Sequence, residues 1–202
     1  MLIAHAGKTP QIDPAAFVAP DATVCGDVVV GPGSRIMHGA RLIGEAGGVI
    51  RIGCNTIVME NAVIRASHRH PCTIGDHCLI GPSAHVAGAQ LEDQVFIATG
   101  AAVFHGSYLA RGTEVRIHAT VHIRTRLEAG ATVPIGWIAV GDPARILPPD
   151  QHDAIWAAQA PLDFPSWVYG VDRTTPDVMI QITKGLSDQL GAHADDSEVK
   201  PR

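Results

Sequence analysis

The sequence predicts an all-β solenoid, a stack of short parallel strands wound into a coil. Three observations predict it. Counting from Leu91 in steps of six gives Ile97, Val103, Leu109, Val115, Val121, Leu127 and Val133, every one aliphatic. Four residues after such a position the side chain is usually small, as at Ala22, Ser34, Ala40, Thr56, Ala62, Ala84, Ala101, Ser107, Thr113, Ala119 and Ala131. Aromatic residues make up only 4% of the chain, so the core must be built from small branched side chains used many times. A period of six fits neither an amphipathic helix nor a hairpin sheet. It fits one short strand plus a turn, and three such sides close a triangular coil. Coils stacked at about 4.8 Å pair their strands in parallel and pile aliphatic on aliphatic.

Taken in order, residues 1–17 form a lead-in. It carries Lys8, an early Pro10 and no apolar run long enough for an export signal or a membrane span, so a cytoplasmic location is expected. Residues 18–147 form the coil. There the six-step links Val18, Val24, Val30, Ile36 and Leu42, then Ile52, Val58 and Ile64, then Ile74, Ile80 and Val86. The breaks at "GEAGGV" (Gly44 to Val49) and "RASHRHPC" (Arg65 to Cys72) should bulge from the stack and line one working face. Residues 148–190 form a helical extension that covers coil edges. One short helix carries Ile155 and Trp156 with Asp150 as N-cap. A second runs from Thr175 to Leu190, with Asp177 in its first turn and Val178, Ile182, Leu186 and Leu190 on every fourth position. Residues 191–202 are polar and read as a disordered tail.

The net charge of -5, with no cluster of Lys and Arg, argues against a nucleic acid or an anionic membrane as partner, leaving a small molecule or a protein. Cys25, Cys54, Cys72 and Cys78 form no C-x-x-C pair and read as small hydrophobes rather than disulfides or zinc ligands.

From Val18 to Leu147, including the exit segment "GWIAVGDPARILPP", the chain resembles the left-handed parallel β-helix of hexapeptide-repeat proteins, and more narrowly their γ-class carbonic anhydrase-like branch. The left hand is implied by the resemblance, since chain sterics favour right-handed crossovers. The resemblance also implies a homotrimer with a zinc-type site between subunits, two histidines from one chain and a third from its neighbour generating hydroxide. The family reads roughly Q-D-x-x-x-x-H around the first ligand and G-H-x-x-x-x-H around the other two. Matched aliphatic to aliphatic, those ligands fall on Arg65, Pro82 and Ala87. The family's Gln and Asp fall on Met59 and Glu60, and its R-x-D on Ile43 and Glu45.

No metal is therefore expected at the family positions. Arg65 puts positive charge where a cation would sit and should neutralise Glu60 or Glu45. The expectation is a γ-carbonic anhydrase-like trimer that is not a carbonic anhydrase, and that binds or acts on another ligand or serves as a scaffold. Its candidate catalytic residues are His85 and Glu60; its candidate ligand-binding residues are Arg65, Glu45 and His70. A second reading is a hexapeptide acyltransferase using acetyl-CoA, with His85, His70 or His105 as general base. A third is a divalent-metal enzyme whose ligands have moved to His68, His70 and His85. Against these stands the plainer reading that His68, His70, His77 and His85 are surface turn residues and that His38, His105, His118 and His122 belong to a polar ladder along a seam. Ser83 and His85 share a strand face but lack a third group for nucleophilic catalysis.

Overall fold

A chain that places an aliphatic side chain every sixth residue can bury all of them only by turning a corner between each pair. In the computed structural model, which describes residues 1–199, it does so for about eight left-handed turns. The first face stacks Leu2–Ala4, Thr23–Cys25, Arg41–Gly44, Val63–Ala66, His85–Ala87, Ala102–Val103, Thr120–Val121 and Ile138–Val140, all parallel. The second runs from Gln11–Ile12 to Arg126–Leu127 and the third from Phe17–Val18 to Thr132–Val133. Successive members of the six-step occupy successive faces: Leu91 lies on the second, Ile97 on the third and Val103 on the first.

Register is kept by the core. Val24, Leu42, Ile64, Val86, Val103 and Val121 form one column, each opposite the next, and all are buried. Matching columns on the other two faces complete a dry interior. The small residue of each repeat also points inward, where Ser34, Thr56 and Thr113 place hydroxyls on backbone carbonyls.

Extra residues leave the stack at one edge. The turn of residues 5–8, the 3₁₀ turn Glu45–Gly47 and the turn of residues 67–70 all lie at the corner between the first and second faces. One coil further on that corner is shortened, with only five residues from Val86 to Leu91. Gly88, at φ +53°, makes the shortening feasible. A Cβ there would lie 2.5 Å from the Cβ of His70. The breaks expected from the sequence therefore do line a single edge.

Four expectations change. The coil starts at Leu2 rather than Val18, because Leu2–Ala4 and Gln11–Ile12 already pair in the stack. Helix α1, His152–Gln159, begins after Gln151 with no side-chain cap, so Asp150 does not cap it. Helix α2, Val178–Leu190, begins beyond Asp177 with no side-chain cap, Pro176 standing just before it. The tail is not disordered through Val199: a 3₁₀ turn at Gly191–Asp195 leads into Ser197–Val199, antiparallel to Leu2–Ala4. Polar composition suggested disorder, but the first coil leaves an open edge whose backbone groups this strand satisfies. At the other end of the same face Arg145–Leu147 closes the edge by the same antiparallel pairing. Residues 200–202 of the tail lie outside the described residues.

Because the columns are continuous, one large-to-small change in the middle should be felt. Ile64→Ala should lower the unfolding free energy by about 2–5 kcal/mol in a denaturant titration. Loss of less than about 1 kcal/mol would mean the column is not close-packed.

Candidate functional site

The insertion edge holds a cleft of about 790 Å³. One wall comes from the coil, with Glu45, Arg65, His68, His85 and His105. The other comes from the C-terminal extension, with Phe164, Tyr169 and the α2 residues Ile182 and Leu186. Strand geometry explains the coil wall. Arg65, Ala87, Phe104 and His122 each follow an inward aliphatic directly, so they stand in one outward column on the first face. The every-fourth-residue stripe of α2 faces the coil, with Ile182 buried and Val178 and Leu186 half-buried.

Arg65 pairs with Glu45, its Nη2 donating to Oε1 at 2.5 Å. Glu45 is 6% exposed and its other oxygen lies 2.8 Å from His193 Nε2. Of the two partners expected for Arg65, the structure thus selects Glu45. Glu60 is not brought to the cleft. It sits two residues past the third-face strand, at a different corner, and among the described residues it makes no ion pair.

The histidines divide. His68 and His77 are exposed, as the turn reading expects; His38 and His118, read as members of a polar ladder, are exposed as well, and His38 bonds Asp21 at 2.6 Å. His70 departs from that reading: it is buried, with Nε2 3.2 Å from the Trp167 carbonyl and its ring edge-on to His105 at 5.1 Å. His85 is half-buried beside Phe104, with ring centroids 6.0 Å apart. Burial, then the Arg65 charge, lowers its pKa; burial, then Arg69, lowers that of His70 despite the carbonyl bond. His105 is pushed down to about 4 by burial and then by His70, His85 and Arg65. Among the described residues, the buried Nδ1 atoms of His105 and His122 and the Nε1 of Trp167 have no hydrogen-bond partner.

The structure therefore gathers Arg65, Glu45 and His85 at the cleft, places His70 just behind it and leaves out Glu60. Sequence reasoning missed the aromatic cover. Phe104 meets Phe164 at 6.5 Å, Phe164 meets Tyr169 at 5.8 Å, and Trp167 lies under Arg124 at 4.8 Å. The available signal was concentration, since Phe164, Trp167 and Tyr169 fall close together in a chain otherwise poor in rings.

The His105 shift has a pH consequence. A base with a folded pKa below its unfolded value of 6.5 contributes fully above pH 6.5, and the contribution is lost as pH falls towards 4, because the unfolded chain binds the proton first. The stability difference between the parent chain and His105→Gln should therefore fall across that interval in denaturant titrations at stepped pH. A difference independent of pH would contradict a buried neutral His105.

Comparison with known proteins places this geometry. No family model matches the chain. It is 36% identical over 146 residues to γ carbonic anhydrase 1, mitochondrial, of Arabidopsis thaliana, covering 69% of this chain and 50% of that one. It is 41% identical over 100 residues to γ carbonic anhydrase 3, mitochondrial, of the same plant, covering 46% and 38%. The chain thus spans about half or less of the length of these curated relatives. Among solved structures, a UDP-N-acetylglucosamine acyltransferase of Francisella novicida superposes with a TM-score of 0.54 over 96% of this chain and 90% of that one; at 12% identity it shares the fold alone. The repeat, the stacked faces and the plant relatives agree that the chain belongs to the γ-carbonic anhydrase-like family of hexapeptide-repeat, left-handed β-helix proteins.

Proposed function

We propose that this chain is a trimeric γ-carbonic anhydrase-like protein that has given up the family's zinc chemistry and uses the insertion-edge cleft to bind a small ligand. The observation that carries the reading is the Arg65–Glu45 ion pair. It occupies the place matched to the first zinc ligand, and Arg65 faces Ala87, matched to the third, in direct register. Proline and alanine side chains carry no lone pair, so Pro82 and Ala87 cannot replace the two remaining imidazoles, and a guanidinium repels a cation. In metal-free form the same groups suit a different task. Arg65 and Arg69 against Glu45 leave one positive charge at the cleft, while Phe104, Phe164 and Ile182 offer apolar walls. A small molecule with one anionic group and an apolar body matches that lining. The trimer is supported by Ile57 and Leu79, register partners on the third face that are both 37% exposed. A cytoplasmic location remains part of the proposal. Among the described residues no helix is long and apolar enough to cross a membrane.

A second reading, acyl transfer from acetyl-CoA, is favoured by His85. Its lowered pKa leaves a neutral imidazole beside the cleft, able to accept a proton from an acceptor hydroxyl or amine. His105, at about 4, is too weak a base for that step near pH 7.

Carbon dioxide hydration, measured by stopped flow with zinc, cobalt or ferrous iron supplied in turn, should not exceed the buffer rate. Hydration that disappears on replacing His68, His70 or His85 would overturn the proposal and favour relocated metal ligands. Saturable CoA binding by calorimetry, with acetyl transfer lost in His85→Ala, would favour the second reading instead.

A further inference from the structure

The docked tail creates a second cluster, at the other end of the insertion edge from His105. His5 comes from the first corner, Cys25 from the second coil, and His193 and Asp196 from the tail. One donor atom from each lies within 4.8 Å of all the others. His5 Nδ1 is 2.6 Å from Asp196 Oδ1, His193 Nδ1 is 2.7 Å from Asp196 Oδ2, and Cys25 Sγ is 3.8 Å from that same oxygen. His5 and Cys25 are 2% and 1% exposed.

We propose that His5, Cys25, His193 and Asp196 form a structural site for a divalent transition metal, zinc by donor chemistry, that fastens the C-terminal segment to the first coils. One thiolate, two imidazoles and one carboxylate are four donors of the kind zinc takes, and the two anionic ligands balance its charge. Bonds of about 2.0–2.3 Å put the ligands of a tetrahedral ion about 3.3–3.7 Å apart, so pairs as wide as 4.8 Å must close by roughly 1–1.5 Å while the His–Asp196 contacts at 2.6 and 2.7 Å open by about an ångström or less. Four protein ligands leave no open position, which makes the role structural.

The surroundings fit a metal in two further ways. His193 presents its second nitrogen to Glu45 at 2.8 Å, and Glu45 is fixed in turn by Arg65. A carboxylate holding the far nitrogen of a metal-binding imidazole is the usual outer support of such sites. The Cys25 thiol also faces the Asp196 carboxylate at 3.8 Å, an arrangement in which a bound cation takes the thiolate and screens the two negative charges from each other. The His5 ring must also shift its proton. Its Nε2 now accepts the Ala46 N–H at 3.3 Å, so that peptide has to turn; it lies at φ +45°, followed by Gly47 and Gly48. This inference is independent of what the cleft binds.

The test uses the full chain without a histidine tag. Metal-free protein is titrated with Zn²⁺ and with Co²⁺, followed by mass-spectrometric metal content and by the thiolate-to-cobalt charge-transfer band. One equivalent should bind. Cys25→Ser and His193→Ala should abolish the band and the stoichiometric uptake, with circular dichroism showing the coil intact, and Glu45→Gln should weaken binding by about 10–100-fold. His70→Ala and His85→Ala should leave uptake unchanged, which separates this site from relocated ligands at the cleft. Chelation should expose the tail to limited proteolysis. Failure of the parent chain to take up either ion, or uptake that survives Cys25→Ser, would overturn the proposal and leave the cluster a hydrogen-bonded clamp.

Discussion

Everything in this molecule is subordinate to the requirement that each coil return to the register of the one below. Parallel backbone ladders on three faces and buried aliphatic columns fix that register together, and neither tolerates a slip. A coil with extra residues has to expel them at a corner, and a coil that is short has to turn tightly. Both occur at one edge, where the turns after Ala4, Gly44 and Ala66 project and Gly88 cuts inward. The cleft follows from this mismatch between chain length and coil circumference. His70 fills the space over Gly88, His105 packs against it, and the C-terminal extension covers the opening with aromatic rings.

Electrostatics at this edge converge on Glu45. It is buried, and a buried carboxylate is tolerated only when its lone pairs are met. Arg65 meets one oxygen and His193 the other, so the strand column and the tail are joined through one side chain. Arg65 is thus more than a local feature of its strand. It supplies the cation around which the edge is built, and it links the cleft to the end cap formed by Ser197–Val199.

The coil was legible because its signal is local and repeated: the six-step, the small residue and the breaks can all be counted without knowing what touches what. Arg65 and Glu45 were legible for the same reason, as fixed offsets from core aliphatics. What escaped depends on contacts between distant segments. The tail has no period of its own, and its strand exists only because Leu2–Ala4 lacks a neighbour. His70 looked like a turn residue because its burial comes from Trp167, far along the chain. Cys25 held a clue that sequence reasoning passed over. It stands in the outward column of Ile43 and Arg65, where a residue that is buried needs something from outside the coil to cover it.

The proposals that Arg65 stands in place of a metal on the first face and that the tail cluster holds one meet in a single experiment, an anomalous difference map at the zinc edge from crystals grown with zinc. A peak enclosed by His5, Cys25, His193 and Asp196, and none beside Arg65 and Ala87, is expected. A peak at the Arg65–Ala87 position, ligated by His68, His70 or His85, with the tail cluster empty, would contradict both proposals.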